Sequence, residues 1–214
     1  MTEHAGWADA GQLLLPPSEG ERLTTDAYRR EFRAVQAALR HQQSWKFERA
    51  QEFEDEGDSW RSFRAGRWED ALRQHQECFA DLAEETAQDR ERGTPFHRVR
   101  VVEKPLTPYL QWELHSFRVQ AAAGNHIRVV AAEALGDLET AGALPEVVVL
   151  GDRALYQVAY DDRGALDGAT RFTSTATVAR WGGFIRSLYH SGEDVLSFFD
   201  REVAHLPPPN TSAR

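Results

Sequence analysis

Cysteine is almost missing from this chain. A lone Cys78 cannot close an internal disulfide, which fits a reducing compartment. Lysine is nearly absent too: Lys46 and Lys104 are the only two, and arginine carries the remaining positive charge. No run approaches the roughly 18 apolar residues of a membrane span, and no basic–apolar–small leader opens the chain. The expectation is a soluble, cytoplasmic protein without a membrane partner. There is no glycine-rich phosphate loop, no GxSxG elbow, no HExxH and no Cys–His ligand spacing, so neither a cofactor nor a metal is expected. A net charge of −9 argues against general nucleic-acid binding, which rests on clustered Lys and Arg.

What is present centres on HRVRVVEKPLTPYLQWELHSF, His97 to Phe117. Val99 and Val101 alternate with Arg98 and Arg100, the pattern of a strand over 97–102. Pro105 lacks the N–H a ladder needs and ends it. Thr107-Pro108 reads as N-cap and first helical position. Leu106, Leu110, Leu114, Phe117 and Ala121 then recur at helical spacing, and Gly124-Asn125 closes the helix. Residues 126–130 form a second strand. Strand, crossover helix and strand make a βαβ unit, which implies parallel pairing.

The expected class is α/β with some α+β character. A central mixed, mostly parallel sheet is built on the βαβ core, with an N-terminal helical extension and C-terminal helices. Strands 97–102, 126–130 and 146–150 are expected as neighbours. The organisation reads as a flexible leader over 1–23, in which Leu13-Leu14-Leu15 docks on the body. A helical region over 24–93 follows, then an α/β core with C-terminal helices over 94–206 and a disordered tail over 207–214. Within the helical region, residues 44–49 alternate aromatic and charged side chains and permit a short strand. Glu52 to Asp58 is an acidic turn without the EF-hand ligand pattern. Trp68, Leu72, His75, Phe79 and Leu82 mark one long amphipathic helix to about Gly93, with His75 a satisfied interior histidine and Cys78 a small buried hydrophobe. Trp60, Phe63 and Trp68 read as core packing before they read as an interface anchor.

In a βαβ unit ligands lie beyond the carboxyl ends of the strands. That rule puts Glu103 and Lys104 at the mouth, with Tyr109 and Glu113 four apart on the crossover helix. With Asp152 these five are the candidate catalytic residues: a carboxylate as general base, Tyr109 or Lys104 as donor. Arg100, Glu103, Tyr109, Trp112 and Glu113 are the candidate binding residues. The structural alternative stands beside this: a solvated Glu103-Lys104 loop, and Glu113 as a partner for Arg100. Most charged side chains are solvated or paired without catalysing anything. His97 and His126 begin neighbouring strands at the opposite end. The order β-α-β-α-β-β-β-α resembles one half of a phospholipase D module, but that superfamily's histidine–lysine–aspartate motif is absent, so its phosphodiester chemistry is not expected.

The blocks SWKFERAQEFEDEGDSWRSFRAGRWEDAL, RVRVV-x-x-PLTPYLQWEL, HIRVV, LPEVVVLGDRALYQVAYDD and VAHLPPP resemble an uncharacterised actinobacterial family, common in Streptomyces and known only as a domain of unknown function. The resemblance spans about residues 18 to 209. It carries Arg98, Arg100, Pro105, Leu106, Tyr109, Trp112 and Glu113 onto the family pattern, and departs from it at Lys104, where an acidic residue is expected. Members tend to lie near helix-turn-helix regulators, and some near specialised-metabolite genes. The resemblance implies no reaction. The functional expectation is an accessory or regulatory protein that binds a small polar molecule or a helix-turn-helix regulator. The alternative is a tailoring or transfer enzyme of a specialised-metabolite pathway. Whether it is an enzyme, and its oligomeric state, stay open at this point.

Overall fold

A computed structural model describes residues 13–140 and 142–210. Eight strands form one mixed sheet: β1 (Glu21–Leu23), β2 (Ser44–Glu48), β3 (Phe96–Val102), β4 (His126–Ala131), β5 (Val147–Leu150), β6 (Ala154–Tyr160), β7 (Leu166–Phe172) and β8 (Glu193–Asp194). Their spatial order is β1-β7-β6-β5-β2-β3-β4-β8. The helices are α1 (Thr25–Ala38), α2 (Asp58–Arg64), α3 (Trp68–Glu77), α4 (Phe79–Arg92), α5 (Pro108–Ala122), α6 (Thr175–Ser191) and α7 (Val195–Glu202).

The βαβ unit is β3-α5-β4, with β3 and β4 parallel and Val99 opposite Arg128. Thr107 caps α5, its Oγ1 accepting from Leu110 N at 3.1 Å, and Pro108 fills the first turn; such a cap is worth about 1 kcal/mol. The α/β class stands, but the sheet is not mostly parallel. Only β2–β3 and β3–β4 run parallel, and the other five pairings are antiparallel. Nor does β5 adjoin β4. β2 lies between β5 and β3, parallel to one and antiparallel to the other. The span 24–93 holds helices α1 to α4 and also, where the sequence permits a short strand, β2 at the centre of the sheet. Likewise 21–23 is an edge strand on β7. There Gly168, at φ +85°, lets the backbones meet; a Cβ would strike Leu23 O. Residues 1–12 of the expected leader lie outside the described residues; Leu13 is buried in the core and Leu15 packs against it. Of the expected tail, Pro207 accepts a hydrogen bond from Gln111 (2.7 Å), and 211–214 lie outside the described residues.

The expected single helix over 68–93 breaks at Cys78, whose backbone N–H closes α3 on His75 O and Gln76 O. Cys78 is exposed, not buried, because the break turns it outward.

The two faces of the sheet are covered differently. On one, α6 lays Val178, Trp181, Phe184, Ile185 and Leu188 over Trp45, Phe47, Val99, Val101, Val147 and Val149. On the other, two apolar patches lie apart. Helices α5 and α7 cover β3 and β4 through Leu110, Leu114, Phe117, Ile127, Val129 and Phe199. Helix α1 covers β5 to β7 through Tyr28, Val148, Tyr156 and Val158. Between the patches, over β2 and the adjoining side of β3, no helix among the described residues packs. A third cluster, Trp60, Phe63 and Ala71 from α2 and α3 against Tyr109 and Trp112, closes one end of the gap. Trp60 and Phe63 are thus core residues.

A charged cleft on one face of the sheet

Period-two alternation sets the floor of that gap. Trp45 and Phe47 point to α6, so Lys46 and Glu48 point the other way. The parallel register places Lys46 beside Arg98 and Glu48 beside Arg100. Four charged side chains therefore line the inner side of two central strands. Arg98 Nη1 donates to both oxygens of Glu48 at 2.9 Å, and Lys46 Nζ lies 2.5 Å from Glu48 Oε1. The Arg98 guanidinium also stacks over Phe117, 4.7 Å from the ring centroid. Burial alone pushes the Glu48 carboxyl up, but Arg98, Lys46 and Arg100 together outweigh it and hold it down at about 2.

Arg100 is completely buried. Its Nε donates to Glu113 Oε2 at 2.6 Å and its Nη1 to Ala50 O at 2.6 Å. Tyr109 donates from its hydroxyl to Glu113 Oε1 at 2.9 Å. Burial raises Glu113 against the pull of Arg100, and at this distance, with Tyr109 as second donor, the two form an ion pair. Burial, then the Glu113 charge, pushes the Tyr109 hydroxyl well above the usual phenol range.

The segment from Arg49 to Gly57 crosses the open side as a strap. Glu146 holds its start, accepting from Arg49 N (2.7 Å) and Ala50 N (2.6 Å). Gln51 ties it to β3 and α5: its Nε2 donates to Val101 O (3.1 Å) and its carbonyl accepts from Thr107 Oγ1 (2.9 Å). Further on, Glu54 N donates to Gly164 O at 2.9 Å. Burial lifts the Glu146 carboxyl to about 7, against the two backbone donors. The strap brings Phe53 onto Tyr160 (ring centroids 4.7 Å) and Tyr109 (5.7 Å).

The result is a cleft of about 480 Å³, floored by Lys46, Glu48 and Arg98. Its walls are Tyr28, Phe53, Tyr109, Trp112, Glu113, Ser116, Phe117, Val158 and Tyr160, and its lip is Arg29, Glu54, Asp55 and Glu56. Arg29 of α1 and Glu56 of the strap face each other across the lip at 3.6 Å.

Of the sequence candidates, Tyr109, Trp112 and Glu113 line the cleft and Arg100 lies beneath it, while the others disperse. Glu103 is an exposed partner of Arg49 (2.6 Å). Lys104, just before the cis bond to Pro105, pairs with Glu202 (2.7 Å). Asp152 lies in the β5–β6 turn at the other end of the sheet, paired with Arg153 at 3.5 Å. The cleft lies on the sheet face, not beyond the carboxyl ends of the strands. The strand-end rule belongs to sheets whose strands run parallel through the site, and here β2 has an antiparallel neighbour. Sequence reasoning missed Lys46, Glu48, Arg98, Tyr28 and Tyr160. The signal was present in Ser44-Trp45-Lys46-Phe47-Glu48 matched against Arg98-Val99-Arg100-Val101, but it has meaning only once the two strands are known to pair.

The histidines lie elsewhere. His97 is stacked between Trp45 (4.3 Å) and His126 (4.9 Å), and burial, then His126, lowers it to about 4. His75 shares a hydrogen bond with Ser59 Oγ (3.1 Å), a hydroxyl that also accepts from Trp112 Nε1 (3.0 Å). His115 meets Trp68 and Phe199 edge-on. Among the described residues no group of three or more His, Cys, Asp or Glu is placed to hold a metal ion. Among them too, no helix is long and apolar enough to cross a membrane.

A mixed α/β sheet with an aromatic-walled, charged cleft on one face defines the class of the molecule. The chain belongs to the family described as Domain of unknown function (DUF6879), whose model matches residues 30–200. That span holds the floor and nearly all of the walls and lip. No curated protein matches the chain.

Proposed function

We propose that the protein is an accessory or regulatory protein that binds a small polar molecule in the cleft between α1 and α5. The observation that carries this reading is the charged floor. A sheet side packed by helices is ordinarily apolar, and here Lys46, Glu48, Arg98 and Arg100 occupy it beneath an open volume. That volume falls within the roughly 300–1,000 Å³ of small-molecule sites, which are apolar-walled with a few placed polar groups.

Binding is favoured over catalysis because the acidic groups deepest in the cleft are engaged or held away from neutrality. A general base works best with a pKa near the operating pH. Glu48 is held at about 2, Glu113 is committed to Arg100, and the Tyr109 proton is held tightly. The machinery expected for a tailoring or transfer enzyme is dispersed, with Glu103, Lys104 and Asp152 outside the cleft. A distant phospholipase D-like ancestry would bring no phosphodiesterase chemistry with it, and the order β3-α5-β4-β5-β6-β7-α6 has only a short 3-10 turn, Ala132–Leu135, where that module's second helix is expected.

The test is a fragment screen by NMR on the full chain. Shift changes are expected to cluster on the Trp112 indole and on strands β2 and β3. Ser116→Phe, which fills the cleft from α5, should abolish them while the circular dichroism stays unchanged. Fragments that bind Ser116→Phe as they bind the wild type would overturn the reading.

A further inference from the structure

The floor has an excess of positive charge. Two cations, Lys46 and Arg98, face one carboxylate, Glu48. Arg98 engages that carboxylate through Nη1 alone, so Nε and Nη2 are not spent on it. Its guanidinium plane is fixed by Phe117, which lowers the entropy lost on capturing a ligand. Arg100 does not enter the count, since Glu113 neutralises it. The lip is the reverse. Glu54, Asp55 and Glu56 stand against a single Arg29, so a polyanion would be repelled on entry. Between lip and floor the surface is aromatic: Phe53, Tyr109 and Tyr160 meet at ring distances of 4.7 to 5.7 Å.

We propose that the ligand is a small aromatic monoacid, its carboxylate seated against Lys46 and Arg98, its ring against Phe53, Tyr109 and Tyr160, and its uncharged or cationic end at the lip. This rests on the cleft being the binding site. The anion supplies the negative charge that the floor lacks, through charge-assisted hydrogen bonds to two mostly buried cations. A cation would meet Lys46 and Arg98 at the deep end, where desolvation is greatest.

The experiment is isothermal titration of the full chain with three near-isosteres: phenylacetate, phenylacetamide and phenethylamine. Phenylacetate should bind about tenfold or more tightly than the amide, the worth of one hydrogen bond to a charged group, and the amine should bind weakest. Two variants must move phenylacetate in opposite directions. Lys46→Met removes a cation and weakens it; Glu48→Gln frees both cations and tightens it. The amide should follow neither by more than about twofold. If the amide or the amine binds as tightly as the acid, the proposal is overturned, as it is if Glu48→Gln fails to tighten the acid. Should none of the three bind while unrelated fragments still shift cleft resonances, the ligand class is wrong and the cleft reading survives. Should no fragment shift those resonances, both fall.

Discussion

The two faces of strands β2 and β3 differ in every side chain they carry. Toward α6 stand Trp45, Phe47, Val99 and Val101, and toward α1 and α5 stand Lys46, Glu48, Arg98 and Arg100. Both faces are largely shielded from water. Phe47 and Val99 are fully buried, and so is Arg100. The difference teaches what each face is for. Apolar packing stabilises by non-directional burial, whereas a buried ion pair roughly breaks even, because desolvation offsets attraction. The α6 face holds the fold together. The charged face adds little to stability that leucines could not supply, which is the ground for the binding role proposed for it.

The largest expected effects would come from truncating either face, and they should differ in kind. Trp181→Ala empties the centre of the α6 packing and should cost about 3–5 kcal/mol in urea denaturation, without rescue by any single neighbour. Arg100→Leu should cost a similar 3–5 kcal/mol, because Glu113 is left buried and unpaired. Adding Glu113→Leu should recover most of that loss. A double variant no more stable than the single would mean that the pair holds the fold up after all.

A middle-sized effect concerns pH. Glu146 is raised in the fold to about 7. Its contribution is therefore fully present below the unfolded carboxylate value near 4.5 and is lost as pH rises through 7. Glu146→Gln should remove that loss and stabilise the protein at pH 8 by on the order of 2 kcal/mol. Glu48 has the opposite sign. Held at about 2, it contributes fully above pH 4.5, and the contribution disappears as pH falls toward 2. His75, His97 and His115, each lowered to about 4, oppose Glu146 across part of its window, losing their contribution as pH falls from 6.5 to 4. The difference between wild-type and Glu146→Gln stability curves isolates the carboxyl; a flat difference from pH 4.5 to 8 would contradict the assignment.

The smallest effects belong to Glu103 and Lys104, the two residues the sequence placed at the mouth of the first strand. Glu103→Gln and Lys104→Met each remove one partner of an exposed pair and should change stability by less than about 1 kcal/mol, and fragment binding not at all. A loss of cleft binding in either would move the site back toward the strand end.

Much of the fold was legible where its causes are local. The strand ending before Pro105, the Thr107-Pro108 helix start, the β6–β7 hairpin and helix α6 all follow from short-range signals. The Glu113 contact with Arg100 and Tyr109 was legible for the same reason, since helical spacing puts Tyr109 and Glu113 on one face. The centre of the sheet was not. The five residues of β2 carry no mark saying which strands flank them, and the antiparallel direction of β5 is fixed by tertiary packing. Without β2 beside β3, Lys46, Glu48 and Arg98 look like solvent-facing charges of half-buried strands. The alternation was visible; that both faces are covered was not.

If the charged floor serves binding and not folding, the triple variant Lys46→Leu/Glu48→Leu/Arg98→Leu should separate the two. Its melting temperature and its affinity for phenylacetate would be measured beside the wild type. The expected result is a folded protein that melts at or above the wild-type temperature and has lost the ligand. A variant that melts well below the wild type, or one that keeps the wild-type affinity, would contradict it.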